Sequence, residues 1–268
     1  MHPRVCVSAI SSFTNTLDDD LALWQRHGIT AVGVSVAKLD HAGWQPGIDR
    51  ITDADLRVAN LIGLGPFTLD DPSQWVTQQQ RLLRALDAAI QLDAECLVFT
   101  TGPAGALPWE DAADALDAAT GPVRVEAKRL GIPFVLEHTN SLRVDVGFVH
   151  TLRDVVDLAR RLDVGVCLEI NACWAERALH ETIAESLDVI RLVQVSDYRI
   201  GTLTTPARLV PGDGDIPLER ILHSLLDAGY AGVFDLELIG PAIEAEGYDT
   251  AIPRAIDTLS TLLASLGA

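Results

Sequence analysis

The sequence predicts an α/β fold: a (β/α)8 TIM barrel, one domain over residues 1–268. Three observations predict it. Strand-like runs alternate with helix-like runs along the whole chain, giving eight strand–helix units. The strand-like runs are nearly continuous in apolar residues, as strands covered on both faces of a parallel sheet are. The 268 residues, 48% of them hydrophobic, exceed the usual single-domain size but suit a barrel, which runs this long as one unit.

The units follow in order. "RVCVSAI" (4–10) is a β-rich first strand, and "TLDDDLALWQRHG" (16–28) has helical spacing with a glycine stop. "TAVGVSVAK" (30–38) is the second strand, followed by a loop holding Gly43, Pro46 and Gly47. "RVANLIGLG" (57–65) is the third, before a long amphipathic helix over 71–92 with Pro72 near its first turn. "ECLVFTTG" (95–102) is the fourth, and the helix over 109–131 is expected to break near Gly121-Pro122. "PFVLEHTN" precedes a helix at about 148–161, and "VGVCLEI" (164–170) one at about 175–187. "IRLVQVSDY" (190–198) leads through a Gly/Pro loop to a helix at about 217–228. "GVFDLELIG" (232–240) precedes the last, at about 249–266. No G-x-G-x-x-G opens the first helix, so a dinucleotide fold is not indicated.

Charge and composition narrow the function classes. The formal net charge is −18, with two lysines, Lys38 and Lys128. A nucleic-acid surface needs Lys and Arg to replace counterions on phosphates, so no nucleic-acid partner is expected. No apolar run approaches the ~20 residues of a membrane helix, and no membrane partner is expected. Cys6, Cys96, Cys167 and Cys173 form no C-x-x-C pair and read as reduced thiols, three of them in strands. The first residues lack a signal-peptide pattern. The expectation is a cytoplasmic protein.

In a barrel the chemistry sits at the C-terminal ends of the strands. Strand five ends in Glu137, strand six in Glu169, strand seven in Gln194 and Asp197, strand eight in Asp235 and Glu237. Four successive strands thus place an oxygen-bearing side chain inside or just past an apolar run. A single such residue is as well explained by capping the next helix or pairing with an arginine. The recurrence is what points to a site. Converging buried carboxylates repel one another unless paired or bound to a cation. A divalent metal ion makes Glu137, Glu169 and Glu237 tolerable together, and oxygen ligands suit Mn²⁺, Mg²⁺ or Co²⁺ better than Zn²⁺. Asp197 and Asp235 read equally as supports of the site and as caps or surface pairs. Strand alternation turns His138 away from the barrel axis, toward packing. Trp174, just past strand six, is placed as a wall of the pocket, and Lys38 as a cation ending strand two.

These residues resemble the xylose isomerase-like TIM barrel superfamily, the sugar phosphate isomerases/epimerases. The resemblance covers essentially the whole chain. It is most specific in "VLEHTN", "GVCLEI", "VQVSDY", "RLVPGDGDIPLERIL" and "FDLELIG". The family's Glu, Asp, His, Glu at the ends of strands five to eight maps onto Glu137, Glu169, Gln194 and Glu237. The resemblance implies a divalent-metal-dependent isomerase/epimerase acting on a keto-sugar or related hydroxy ketone, a small polyhydroxy ketone, through an enediolate. It implies Glu137 and Glu237 as catalytic acid/base and metal ligands, with Glu169 and Gln194 completing the metal site. Arg208, Lys38, Trp174 and Asn140 are the substrate-binding candidates. By analogy with the family, a homodimer is the expected assembly.

Two departures open alternatives. Glu169 replaces the family's Asp, with Ala172 where a His is frequent, and Gln194 replaces the strand-seven His. A Gln at that position resembles the 3-dehydroshikimate dehydratases of the superfamily, so a lyase is a second reading, as is an inosose dehydratase-like elimination. A non-catalytic barrel or partner subunit with a degraded site is the third. Endonuclease IV shares the fold, but its His-rich zinc site and basic groove have no counterpart here.

Overall fold

A computed structural model describes residues 1–65 and 67–268. Eight parallel strands close into a barrel in chain order: β1 (Val5–Ser8), β2 (Ala31–Ser35), β3 (Arg57–Leu64), β4 (Leu97–Thr100), β5 (Phe134–Glu137), β6 (Gly165–Glu169), β7 (Ile190–Val195) and β8 (Phe234–Leu236). β8 closes on β1 through Val5↔Phe234, Cys6↔Asp235 and Val7↔Leu236. The outer layer comprises α1 (Leu17–Arg26), α2 (Val36–Ala42), α3 (Trp44–Asp53), α4 (Trp75–Gln91), α5 (Trp109–Leu130), α6 (Leu152–Leu162), α7 (Ile170–Cys173), α8 (Leu179–Ser186), α9 (Leu218–Asp227), α10 (Pro241–Glu246) and α11 (Tyr248–Ser265). None of the described helices is long and apolar enough to cross a membrane.

Two local expectations are corrected. The segment after β2 is not a loop: α2 and α3 occupy it, with Pro46 in the first turn of α3, where its missing N–H costs nothing. α5 does not break at Pro122. Side chains take up carbonyls just before the proline: Gln79 donates to the Ala119 carbonyl at 2.8 Å and Arg124 to the Asp117 carbonyl at 3.0 Å. The carbonyl that loses its N–H partner at Pro122 is that of Ala118, between these two, and the helix runs through all the same.

Strand alternation divides the core into two parts. One face of each strand packs on the helices. The other fills the barrel with small or slender side chains, among them Cys6, Ala31, Ala59, Cys96, Val98 and Cys167. This small-residue interior leaves room for polar side chains. Asn60 on β3 donates to Asp235 on β8 at 3.1 Å, although β1 and β2 lie between those strands, so both point into the barrel. Gly33 on β2 makes the space: a Cβ there would come within 2.7 Å of Asn60 Oδ1. The four cysteines are free and buried.

Candidate active site

The tilt and stagger of β5–β8 bring the acidic strand ends together. Glu169 is level with Gln194, and Gln194 with Asp235, which puts Glu237 two residues further along on the same face. Glu137, Glu169 and Glu237 are all buried, and each offers a carboxylate oxygen within 4.8 Å of the others. Gln194 is fully buried; its amide nitrogen donates to Glu237 Oε2, and its Oε1 has no hydrogen-bond partner.

Arg208 reaches this cluster from the segment after β7. Its guanidinium lies 2.7 Å from Glu169 Oε2 and 2.8 Å from Glu237 Oε1, and it donates to the Glu237 carbonyl at 3.0 Å. Asp197 holds that segment. Its carboxylate accepts from the backbone N–H groups of Tyr198, Gly212, Gly214 and Ile216 at 2.8–3.1 Å. Its own backbone pairs with Leu209 in an isolated antiparallel bridge. Gly214 is required there, because a Cβ would collide with Asp197. Asp197 is thus the organiser of the "PGDGDIP" loop and, through Leu209, a brace beside Arg208.

Burial raises the pKa values of Glu137 and Glu169. Glu137 is pushed well above the ordinary range by burial, then by Glu237 and Glu169. Glu169 rises to about 7, burial outweighing the pull of Arg208. One guanidinium faces three carboxylates, so the fully ionised cluster carries two uncompensated negative charges. A divalent cation would balance them, and the unpartnered Gln194 Oε1 is a further oxygen donor beside the three carboxylates. The residues therefore fit such an ion.

Glu137, Glu169, Glu237 and Arg208 line a cavity of about 310 Å³ at the C-terminal mouth of the barrel. Ile10, Ile62 and Val98 add apolar lining. Asn140 lines it as expected, its Oδ1 engaged by the Leu142 N–H. Two expected substrate-binding residues do not line it. Lys38 is buried elsewhere, donating to Asp20 at 2.6 Å and to the Ser12 carbonyl at 2.8 Å, because its stem leaves β2 into α2 rather than along the barrel axis. Trp174 is half-buried past α7 and borders a separate depression with Glu176 and Arg177. His138 points outward, and its Nε2 accepts the Glu169 N–H at 3.2 Å. Burial lowers its pKa to about 3, so it stays neutral and fixes the Glu169 backbone.

Asp235 is neither a cap nor a surface pair. It is fully buried one layer below Glu237, receives Cys6 Sγ at 3.0 Å and Asn60 Nδ2 at 3.1 Å, and burial raises it to about 7. Its two-residue spacing from Glu237 carried that signal. Asn171 was not anticipated. It lines the cavity from α7, its N–H donates to Glu169 Oε1 at 2.9 Å, and its Nδ2 has no partner. Only its place two residues after Glu169 could have flagged it.

The comparisons agree with this geometry. The profile of the xylose isomerase-like TIM barrel family matches residues 21–260. The inosose isomerases of Halalkalibacterium halodurans and Bacillus subtilis are each 26% identical, over 139 and 136 residues, 49% of this chain and 48% of each relative. These matches thus span about half the length of either relative. Among solved structures, protein SMc04130 from Sinorhizobium meliloti 1021 superposes with a TM-score of 0.87 at 21% identity, over 97% of this chain and 98% of that one. The zinc-bound IOLI protein superposes at 0.84 and 17% identity, over 98% and 99%. The 3-keto-D-glucoside 4-epimerase of E. coli superposes at 0.75 and 15% identity, over 97% and 99%. At these identities the superpositions show the shared fold.

Proposed function

We propose that this chain, which belongs to the xylose isomerase-like TIM barrel family, is a divalent-metal-dependent isomerase or epimerase of a keto-sugar or related hydroxy ketone. The observation that carries the reading is the convergence of Glu137, Glu169 and Glu237, with Gln194, around one point at the mouth of the barrel. Sugar isomerases and epimerases stand among its relatives and structural neighbours.

Glu137, Glu169, Glu237 and the Gln194 oxygen would hold the cation. When bound, it supplies Lewis-acid stabilisation of the negative charge that develops on the substrate oxygens. The chain's own groups do the rest. Glu137 and Glu237 stand at the end of β5 and just past β8, and both line the cavity. One carboxylate removes the proton from the carbon next to the carbonyl, and the other, protonated, returns one to the resulting enediolate. Arg208 donates to a substrate oxygen and offsets part of the cluster's charge. Asn171 Nδ2 is a donor in the same cavity. The apolar lining limits water around the enediolate.

The test is metal content by mass spectrometry, joined to solvent-deuterium incorporation at the carbon next to the carbonyl in ketohexoses, inososes and 3-keto-glucosides. About one divalent ion per chain, lost in Glu237→Gln together with exchange, supports the assignment. Protein that takes up no cation on titration and exchanges none of these ketones overturns it, and the non-catalytic barrel then becomes the better reading.

A further inference from the structure

We infer that the substrate carries an uncharged apolar substituent, such as the aryl or alkyl group of a keto-glycoside, received by a groove that adjoins the catalytic cavity; the inference rests on the reaction proposed above. Leu142, Arg143, Thr205, Pro206 and Ile239 line both the cavity and a second, more open groove, so the two spaces adjoin across these residues. Phe13, Pro241 and Glu244 stand along the outer part. Phe13 is 57% exposed and Leu142 48%, two large apolar side chains left in water beside one channel.

The charges select the substituent. Arg143 is the cation of the groove, and Asp145 already holds it through two hydrogen bonds of 3.0 and 3.1 Å. Glu244 adds a negative charge. A phosphate or carboxylate at this end would meet a neutralised arginine and a repelling glutamate. An apolar group would instead cover Phe13, Leu142, Pro206 and Ile239. A ligand filling the whole trough is therefore polar and ketonic at the carboxylate end, uncharged and apolar at the other. A free ketose fills only the inner part.

The experiment compares methyl and 4-nitrophenyl 3-keto-glucosides, which differ only in the aglycone. Deuterium exchange gives kcat/KM, and calorimetric titration of methyl and 4-nitrophenyl glucoside reads the groove without turnover. We expect kcat/KM to favour the aryl compound about tenfold, and the ratio to fall toward one in Phe13→Asp, an exposed position. Exchange of both compounds at equal rates overturns the groove and leaves the isomerase standing. If neither exchanges but the aryl glucoside still binds more tightly, and Phe13→Asp removes that preference, the groove stands and the reaction reading falls. Absence of both exchange and preference overturns both. A Phe13→Asp variant that changes oligomeric state and not the ratio assigns this face to a second copy of the chain, and the groove again falls.

Discussion

The barrel mouth holds two buried clusters of cation and carboxylate, one in each half, and they are built differently. In the first half Lys38 meets one carboxylate, Asp20, with Ser12 completing the set: its carbonyl accepts from Lys38, and its hydroxyl donates to Asp20 at 2.6 Å. The charges balance and the group is sealed away from the cavity. It ties the segment after β1 to α1 and α2. In the second half Arg208 faces Glu169 and Glu237 directly, with Glu137 near them, and all four line the cavity. The charges do not balance, and Gln194 Oε1 is left without a partner. A balanced, closed cluster is architecture. An unbalanced one open to a cavity keeps its field for a ligand.

Substitutions can break that contrast. The largest effect belongs to the unbalanced cluster. Glu137→Gln should lower kcat/KM for deuterium exchange by about 10³-fold, within the range of a lost acid/base group, with unchanged circular dichroism. Lys38→Met should do the reverse. Asp20 would be left buried without its counter-charge, at a cost of about 3–5 kcal/mol in denaturant unfolding, while kcat of the folded protein holds. If Lys38→Met removed activity at full stability, the two clusters would not be separate in role. Asp197→Asn comes next. It presents an amide N–H₂ to backbone donors, and should cost about 1–3 kcal/mol. It should also raise KM more than it lowers kcat, because the loop that positions Arg208 is loosened.

Strand ends were legible because chemistry there breaks an apolar run. Glu137, Glu169, Gln194 and Glu237 each stand out against Val, Leu and Ile, and their recurrence at corresponding points of four strands predicted the convergence now seen. The same logic misplaced Lys38, because a residue one turn past a strand follows the direction of its helix and not the pleat. Trp174 was misplaced for the same reason. The local chemistry of Pro122 predicts a break, whereas α5 continues through it as one helix packed along the neighbouring α4. Asn60 and Asp235 could not be paired from the sequence, since only barrel closure brings β3 and β8 across from one another.

The last test is a pH slope, and its sign shows whether the second cluster is truly unbalanced. In metal-free protein Glu169 and Asp235 titrate near 7, and Glu137 is also raised, all chiefly because burial disfavours their charged forms. In the unfolded chain these carboxyls ionise in their ordinary range near pH 4. Between the two values the native state binds more protons than the unfolded one. The stabilisation they give is thus fully present below the unfolded pKa, and is lost as pH rises through the folded one, by up to about 1.4 kcal/mol per pH unit for each group. Chelated protein should therefore melt at lower temperature at about pH 8 than at about pH 5, and Glu169→Gln should flatten the slope. Divalent cation should reverse it, because the ion takes the place of the protons and binds more tightly as the carboxylates ionise. A melting temperature that rose with pH in the chelated protein would mean that these carboxylates are already compensated, and the contrast with the Lys38 cluster would be gone.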